Sequence, residues 1–203
     1  MTNFISKSVG TLAVVALFAA SAYAQAPAAG GSGPPVLASK IAIAKGGSSH
    51  LLVTSGTFVS GGDLDDKYTQ NGDNMSPSIN WSKGPQGTQS YAVLVEDSGV
   101  NRAEPIVHWV IYNIPSTASS LPQNVPADPT LENGATQGKN VRGAIGYIGP
   151  KPPAGQTHPY HFQVFALSSR LSIEPGSDRN TVVNAMKNRV LASGELVANY
   201  TGK

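Results

Sequence analysis

From about Val36 to Gly176 the chain alternates short apolar runs with clusters of Gly, Pro, Asn and Ser. Ser90 to Val95, Val107 to Ile114 and His161 to Leu167 are the clearest runs. Each is too short for a typical helix, is rich in Val, Ile, Tyr and Phe, and is bounded by turn residues, which predicts strands. A different period appears once. Val182, Val183, Met186 and Val190 recur at helical spacing, with Ser177 or Asp178 as N-cap and Gly194 beyond the end as a stop. That helix should cover one face of the β core, and Glu195 to Tyr200 should return as a last strand. The expected fold class is mainly β: two packed, largely antiparallel sheets, one principal helix in the C-terminal region, and long pocket-forming loops.

The first 24 residues follow another pattern. Lys7 precedes an apolar run from Val9 to Ala20, and Ala22-Tyr23-Ala24 is a small-x-small cleavage signal, so residues 1–24 read as a signal peptide. The run is shorter than the ~20 residues a bilayer core requires, so no transmembrane anchor is expected after cleavage. The protein is therefore expected to be exported, periplasmic or secreted. Gln25 to Pro35, a Gln/Ala/Gly/Ser/Pro segment, reads as a flexible linker, and residues 36–203 as one domain with a substantial core.

Charge and cysteine content narrow the chemistry. Removing Lys7 with the signal lowers the formal balance from +2 to +1, and the remaining basic residues are scattered, without a Lys/Arg stripe. Nucleic acid is thus not an expected partner. With no Cys there is no disulfide, thiolate catalysis or cysteine-held metal. A near-neutral chain still accommodates one local anion site, and a homodimer stays open.

The loop Gly146 to Tyr160 is where such a site reads best. Gly149, Pro150 and Pro153 would form a rigid wall whose glycine amides can approach a ligand, and His158 and Tyr160 can both donate hydrogen bonds. His158 and Tyr160 are two apart, so in extended backbone they share a face while His161 points elsewhere. Asp97 ends an apolar run, either as a turn cap or facing a cavity mouth. His108 opens an apolar strand whose alternation would set it on one face with Val110 and Tyr112. His161 reads as structural and His50 as a surface residue.

Asp97, His108 and His158 have the residue types of a zinc site but not its dense spacing, so no metal or cofactor is expected. No Gly-x-Ser-x-Gly elbow or phosphate-binding Gly-x-x-x-x-Gly-Lys loop occurs. The same Asp and His residues could serve as the acid/base set of a hydrolase or isomerase.

Several runs together resemble the phosphatidylethanolamine-binding protein family, in its bacterial Raf-kinase-inhibitor-like branch. They are Asn74-Met75-Ser76-Pro77, Val93-Leu94-Val95-Glu96-Asp97, Val107-His108-Trp109-Val110, the His158–Tyr160 run, and Gly194-Glu195-Leu196 with Tyr200. The resemblance implies a small phosphate-like or phospholipid-headgroup ligand and no metal. It also implies a pocket with the residue matching Asp97 at its bottom and the imidazole matching His108 on its wall. Binding without turnover follows, or recognition of a phosphorylated or acidic partner segment as in the kinase-inhibitor relatives. Many relatives carry Asp-Pro-Asp-x-Pro where this chain reads Asp97-Ser98-Gly99-Val100-Asn101, so its pocket lip is expected to be more flexible. Many also have Arg where Pro159 stands. Two imidazoles beside a carboxylate should hold a proton and give charge-assisted bonds to an anion.

Overall fold

The apolar runs become a central sheet buried on both faces. The computed structural model describes Met1, residues 33–42 and residues 49–203. The expected cleavage point after Ala24, with residues 2–32 of the signal and linker, lies outside the described residues. A short helix α1 (Ala38–Ile41) precedes β1 (Val53–Thr54), β2 (Ile79–Trp81), β3 (Ser90–Asp97) and β4 (Ile106–Pro115). There follow β5 (Ser120–Leu121), β6 (Thr136–Gln137), β7 (Thr157–Leu167), α2 (Arg179–Met186) and β8 (Val190–Thr201). One antiparallel sheet has the order β6-β4-β3-β7-β8, and a smaller one β1-β2-β5.

Alternation along β3 splits the interior in two. Tyr91, Val93 and Val95 pack with Ile79 and Trp81 of the small sheet and with Phe162 and Val164 of β7. Ala92 and Leu94 face the other way, against Val110, Tyr112, Phe165 and the α2 residues Val182, Val183 and Met186. Every residue of β3 is buried, which is why its sequence reads as a nearly unbroken apolar run. α2 thus covers one face of the large sheet, as its period predicts.

The helix boundary differs from the expected one. Asp178 is the N-cap, its carboxylate accepting from the Thr181 amide at 2.7 Å. The helix ends at Met186, however, and the turn-making residue is Asn188, at φ 64. Val190 lies at i+4 from Met186 but belongs to β8, which also absorbs Gly194. Gly194 is required there for close approach: a Cβ would lie 2.1 Å from the Leu51 carbonyl oxygen and 2.7 Å from Val53 Cγ2.

Two β-bulges interrupt the pairing of β3 with β4, one between the Tyr91 and Val93 positions and one between Val95 and Glu96. The first accommodates Asn113 at φ 56, whose carboxamide exchanges hydrogen bonds with Leu171. The second places His108 as the extra residue on β4, since Val95 pairs with Trp109 and Glu96 with Val107.

Candidate functional site

The end of β3 assembles the chemistry. Asp97 is its last residue and pairs with Tyr160 of β7 and Ile106 of β4. His158 lies two residues from Tyr160 on the same strand face. The second bulge corrects the face expected for His108: strict alternation would join it to Val110 and Tyr112. Instead its ring packs edge-on against Tyr160, with centroids 5.1 Å apart, on the opposite side of the sheet. One extra residue therefore turns an imidazole from one core to the other.

Asp97, His108, Pro153, His158 and Tyr160 line one cavity of about 610 Å³. His158 Nδ1–H donates to Asp97 Oδ2 at 2.8 Å, and the Gly99 amide donates to Asp97 Oδ1 at 2.7 Å. Gly99 packs so closely over the imidazole that a Cβ there would lie 2.5 Å from His158 Cγ. The lip Asp97 to Asn101 is thus held by the Asp97 carboxylate and by the absence of a side chain at Gly99.

His108 is only 4% exposed, and its Nδ1 lies 2.7 Å from the Ile148 carbonyl oxygen. A carbonyl only accepts, so Nδ1 carries the proton. Burial pushes this imidazole below its ordinary 6.5, and the Ile148 carbonyl and the Asp97 charge offset that only in part. The expectation that both imidazoles supply positive charge is corrected at His108, because desolvation outweighs its favourable neighbours. Burial, followed by the Asp97 and Tyr200 charges, raises the Tyr160 phenol, so its hydroxyl stays a donor.

A stability effect follows from His108. Its folded value lies below its unfolded one, so the unfolded chain binds this proton first, and stability is intact above 6.5 and erodes as pH falls below it. Asp66 and Asp178, held below 3.8 by hydrogen bonds, erode stability only further down. The urea midpoint should fall between about pH 7 and about pH 5, and His108→Phe should flatten that fall. An unchanged slope in the variant would contradict a buried neutral imidazole.

Gly149 and Pro150 stand behind the cavity wall. The Gly149 amide donates to Asn74 Oδ1 at 2.7 Å, which corrects the expectation that it is open to a ligand. What requires glycine here is contact: a Cβ would lie 2.5 Å from the Tyr68 carbonyl oxygen. The Gly149 carbonyl accepts from Gln70 Nε2 at 2.6 Å and the Pro150 carbonyl from the Gln70 amide at 3.1 Å. Both residues thereby fix the loop that presents Ile148 to His108.

Ile148, Lys151 and Gln156 line the cavity from within the loop read as its wall, whereas sequence reading missed Gln70 and Arg142, which reach it from other loops. Arg142 donates to the Gln70 side chain, so two loops far apart in sequence meet at the rim. No periodicity marks such residues. On the back of the sheet, Ser98 Oγ lies 2.8 Å from His161 Nε2, whose Nδ1 donates to Glu195 Oε1 at 2.9 Å. This chain resembles a nucleophile relay, but the adjacent Gly99 amide already donates to Asp97 and is not free to stabilise an oxyanion. Among the described residues no group of three His, Asp or Glu side chains is arranged to hold a metal ion.

The two antiparallel sheets and few helices agree with what similarity to known proteins shows. The sequence profile of the phosphatidylethanolamine-binding protein family matches residues 54–201, and the chain belongs to that family. A UPF0098 protein of Methanothermobacter thermautotrophicus is 37% identical over 139 residues, covering 68% of this chain and 91% of the relative. The crystal structure of Escherichia coli YbcL, described as a new member of the mammalian PEBP family, superposes with a TM-score of 0.71 at 33% identity, covering 76% of this chain and all of that one. A Chlamydia trachomatis PEBP homologue gives 0.69 at 31% identity, covering 77% and 100%.

Proposed function

We propose that this is an exported binding protein that holds a small phosphate-like headgroup in the cavity at the end of β3, without turnover. The observation that carries the reading is the convergence of Asp97, His108, His158 and Tyr160 on one cavity whose rim bears Arg142 and Lys151. Tyr160 supplies a hydroxyl donor in a desolvated site, where a hydrogen bond to an anion counts for more than in water. Arg142 and Lys151 supply positive charge at the mouth, which favours anion entry. Export rests on Lys7, the Val9–Ala20 run and Ala22-Tyr23-Ala24. N-terminal sequencing of exported material should begin at Gln25, and a product beginning at Met1 or Thr2 would contradict cleavage.

Calorimetric titration with O-phosphoethanolamine tests the pocket. The wild-type protein should bind it, and His158→Ala should weaken binding about tenfold by freeing Asp97 and removing a wall of the site. Equal binding by the two proteins would overturn the placement of the site.

A further inference from the structure

Among the described residues only two buried side-chain polar atoms lack a hydrogen-bond partner, Trp81 Nε1 and His108 Nε2. Such orphans are rare in native structures, because leaving a buried polar group unmade costs more than making the bond gains. His108 lines the phosphate-like pocket, whereas Trp81 does not. With the His108 proton fixed on Nδ1 by the Ile148 carbonyl, Nε2 presents a bare lone pair. It can only accept.

The groups facing this ring are of mixed character. Asp97 on β3 is an acceptor, already receiving one bond at each oxygen. On β7, His158 gives its Nδ1 proton to Asp97, and Tyr160 offers a hydroxyl. Arg142 and Lys151 stand in the loops at the mouth. An oxyanion without a hydrogen would meet Tyr160 and the rim favourably but would set an oxygen lone pair against those of His108 Nε2 and Asp97. One that carries a hydroxyl satisfies the orphan.

We propose that the pocket selects oxyanions that bring their own proton: the monoanion of a phosphomonoester or of inorganic phosphate, whose P–O–H donates to His108 Nε2. This rests on the phosphate-pocket reading and sharpens it. Sulfate esters and phosphodiesters, including the intact phosphodiester of a lipid headgroup, lack that hydrogen and should be disfavoured. His108 would be the residue that determines this specificity.

The comparison is made at one pH, so that the unbound protein starts in the same state for every ligand. At about pH 5, below the second ionisation of a phosphomonoester near 6, methyl phosphate, methyl sulfate and dimethyl phosphate all carry about one negative charge. Only methyl phosphate has a hydroxyl. Calorimetry should show it binding about tenfold more tightly than the other two, as for one hydrogen bond to a charged group. Inorganic phosphate should bind like methyl phosphate, and glycerophosphoethanolamine, which carries the lipid diester, like dimethyl phosphate. His108→Phe should bring methyl phosphate down to the methyl sulfate level. On the unaltered protein, the His108 Nε2 nitrogen resonance should shift with methyl phosphate and not with methyl sulfate, a readout that does not depend on the variant folding.

Equal affinities across the three methyl esters would overturn the selection while leaving the anion pocket standing. Tight binding of glycerophosphoethanolamine would overturn it in favour of an ammonium donor. No binding by any ligand would overturn the pocket itself.

Discussion

Glu96→Ala should cost the protein about 3–5 kcal/mol, the range for removing one partner of a buried ion pair. Glu96 has no exposed surface; its Oε1 accepts from Arg179 Nε at 2.7 Å, and its Oε2 from the Ala38 amide and Gln163 Nε2, each at 2.8 Å. Arg179, 8% exposed, also donates to the Val36 carbonyl at 2.7 Å. One carboxylate thus ties β3, β7, α2 and the segment around α1 together. Alanine leaves a buried guanidinium without its counter-ion and two further donors without a partner, the most expensive way to break such a network. Urea denaturation measures the loss. Glu96→Leu combined with Arg179→Leu should recover much of it, because two apolar side chains leave no charge unpaired. A single-variant loss below about 1 kcal/mol, the level of a surface pair, would contradict this role.

Gly194→Ala should destabilise by about 3 kcal/mol, at the upper end for overpacking. The added Cβ meets backbone, the Leu51 carbonyl at 2.1 Å, which cannot yield by changing rotamer. Residues 49–51 lie along the outer edge of β8, where the Leu51 amide donates to the Ser193 carbonyl at 3.0 Å. Pushing them away uncovers that edge as well as straining it. Gly56→Ala is the control, since its nearest obstacle is Ser78 Oγ at 3.5 Å. Equal melting temperatures for the two variants would contradict the close approach.

What the sequence revealed and what it hid follow from the range of the interactions. β3, β4 and β7 were legible because each buries a run of Tyr, Val, Ile and Phe between turn residues, a local pattern. The two-residue strands β1, β5 and β6 left no such pattern. Val190 was misplaced because i+4 from Met186 suits a helix and a buried strand start equally, and only Asn188 at φ 64 separates them. The bulge at His108 was invisible, since one extra residue changes the side-chain face without changing composition. Asp97, His158 and Tyr160 were legible as a strand end followed by a paired face. The Gly149 amide was misjudged because its partner, Asn74, lies 75 residues away. Glu96 and Arg179, 83 residues apart, left no mark in either local pattern.

Placement of the ligand is the central claim, and a larger cavity competes for it. A cleft of about 780 Å³ at the opposite end of β3 is lined by Lys83, Gly84, Thr88, Tyr91, Ser116 and Ser119, with Lys83 as its only cation among the described residues. Amide chemical-shift mapping of ¹⁵N-labelled protein during titration with O-phosphoethanolamine separates them. Perturbations should concentrate at Gly99, Val100, His108, Ile148, His158 and Tyr160. Shifts centred instead on Gly84 to Thr88 and Ser116 to Ser119, or none at saturating ligand, would contradict the account.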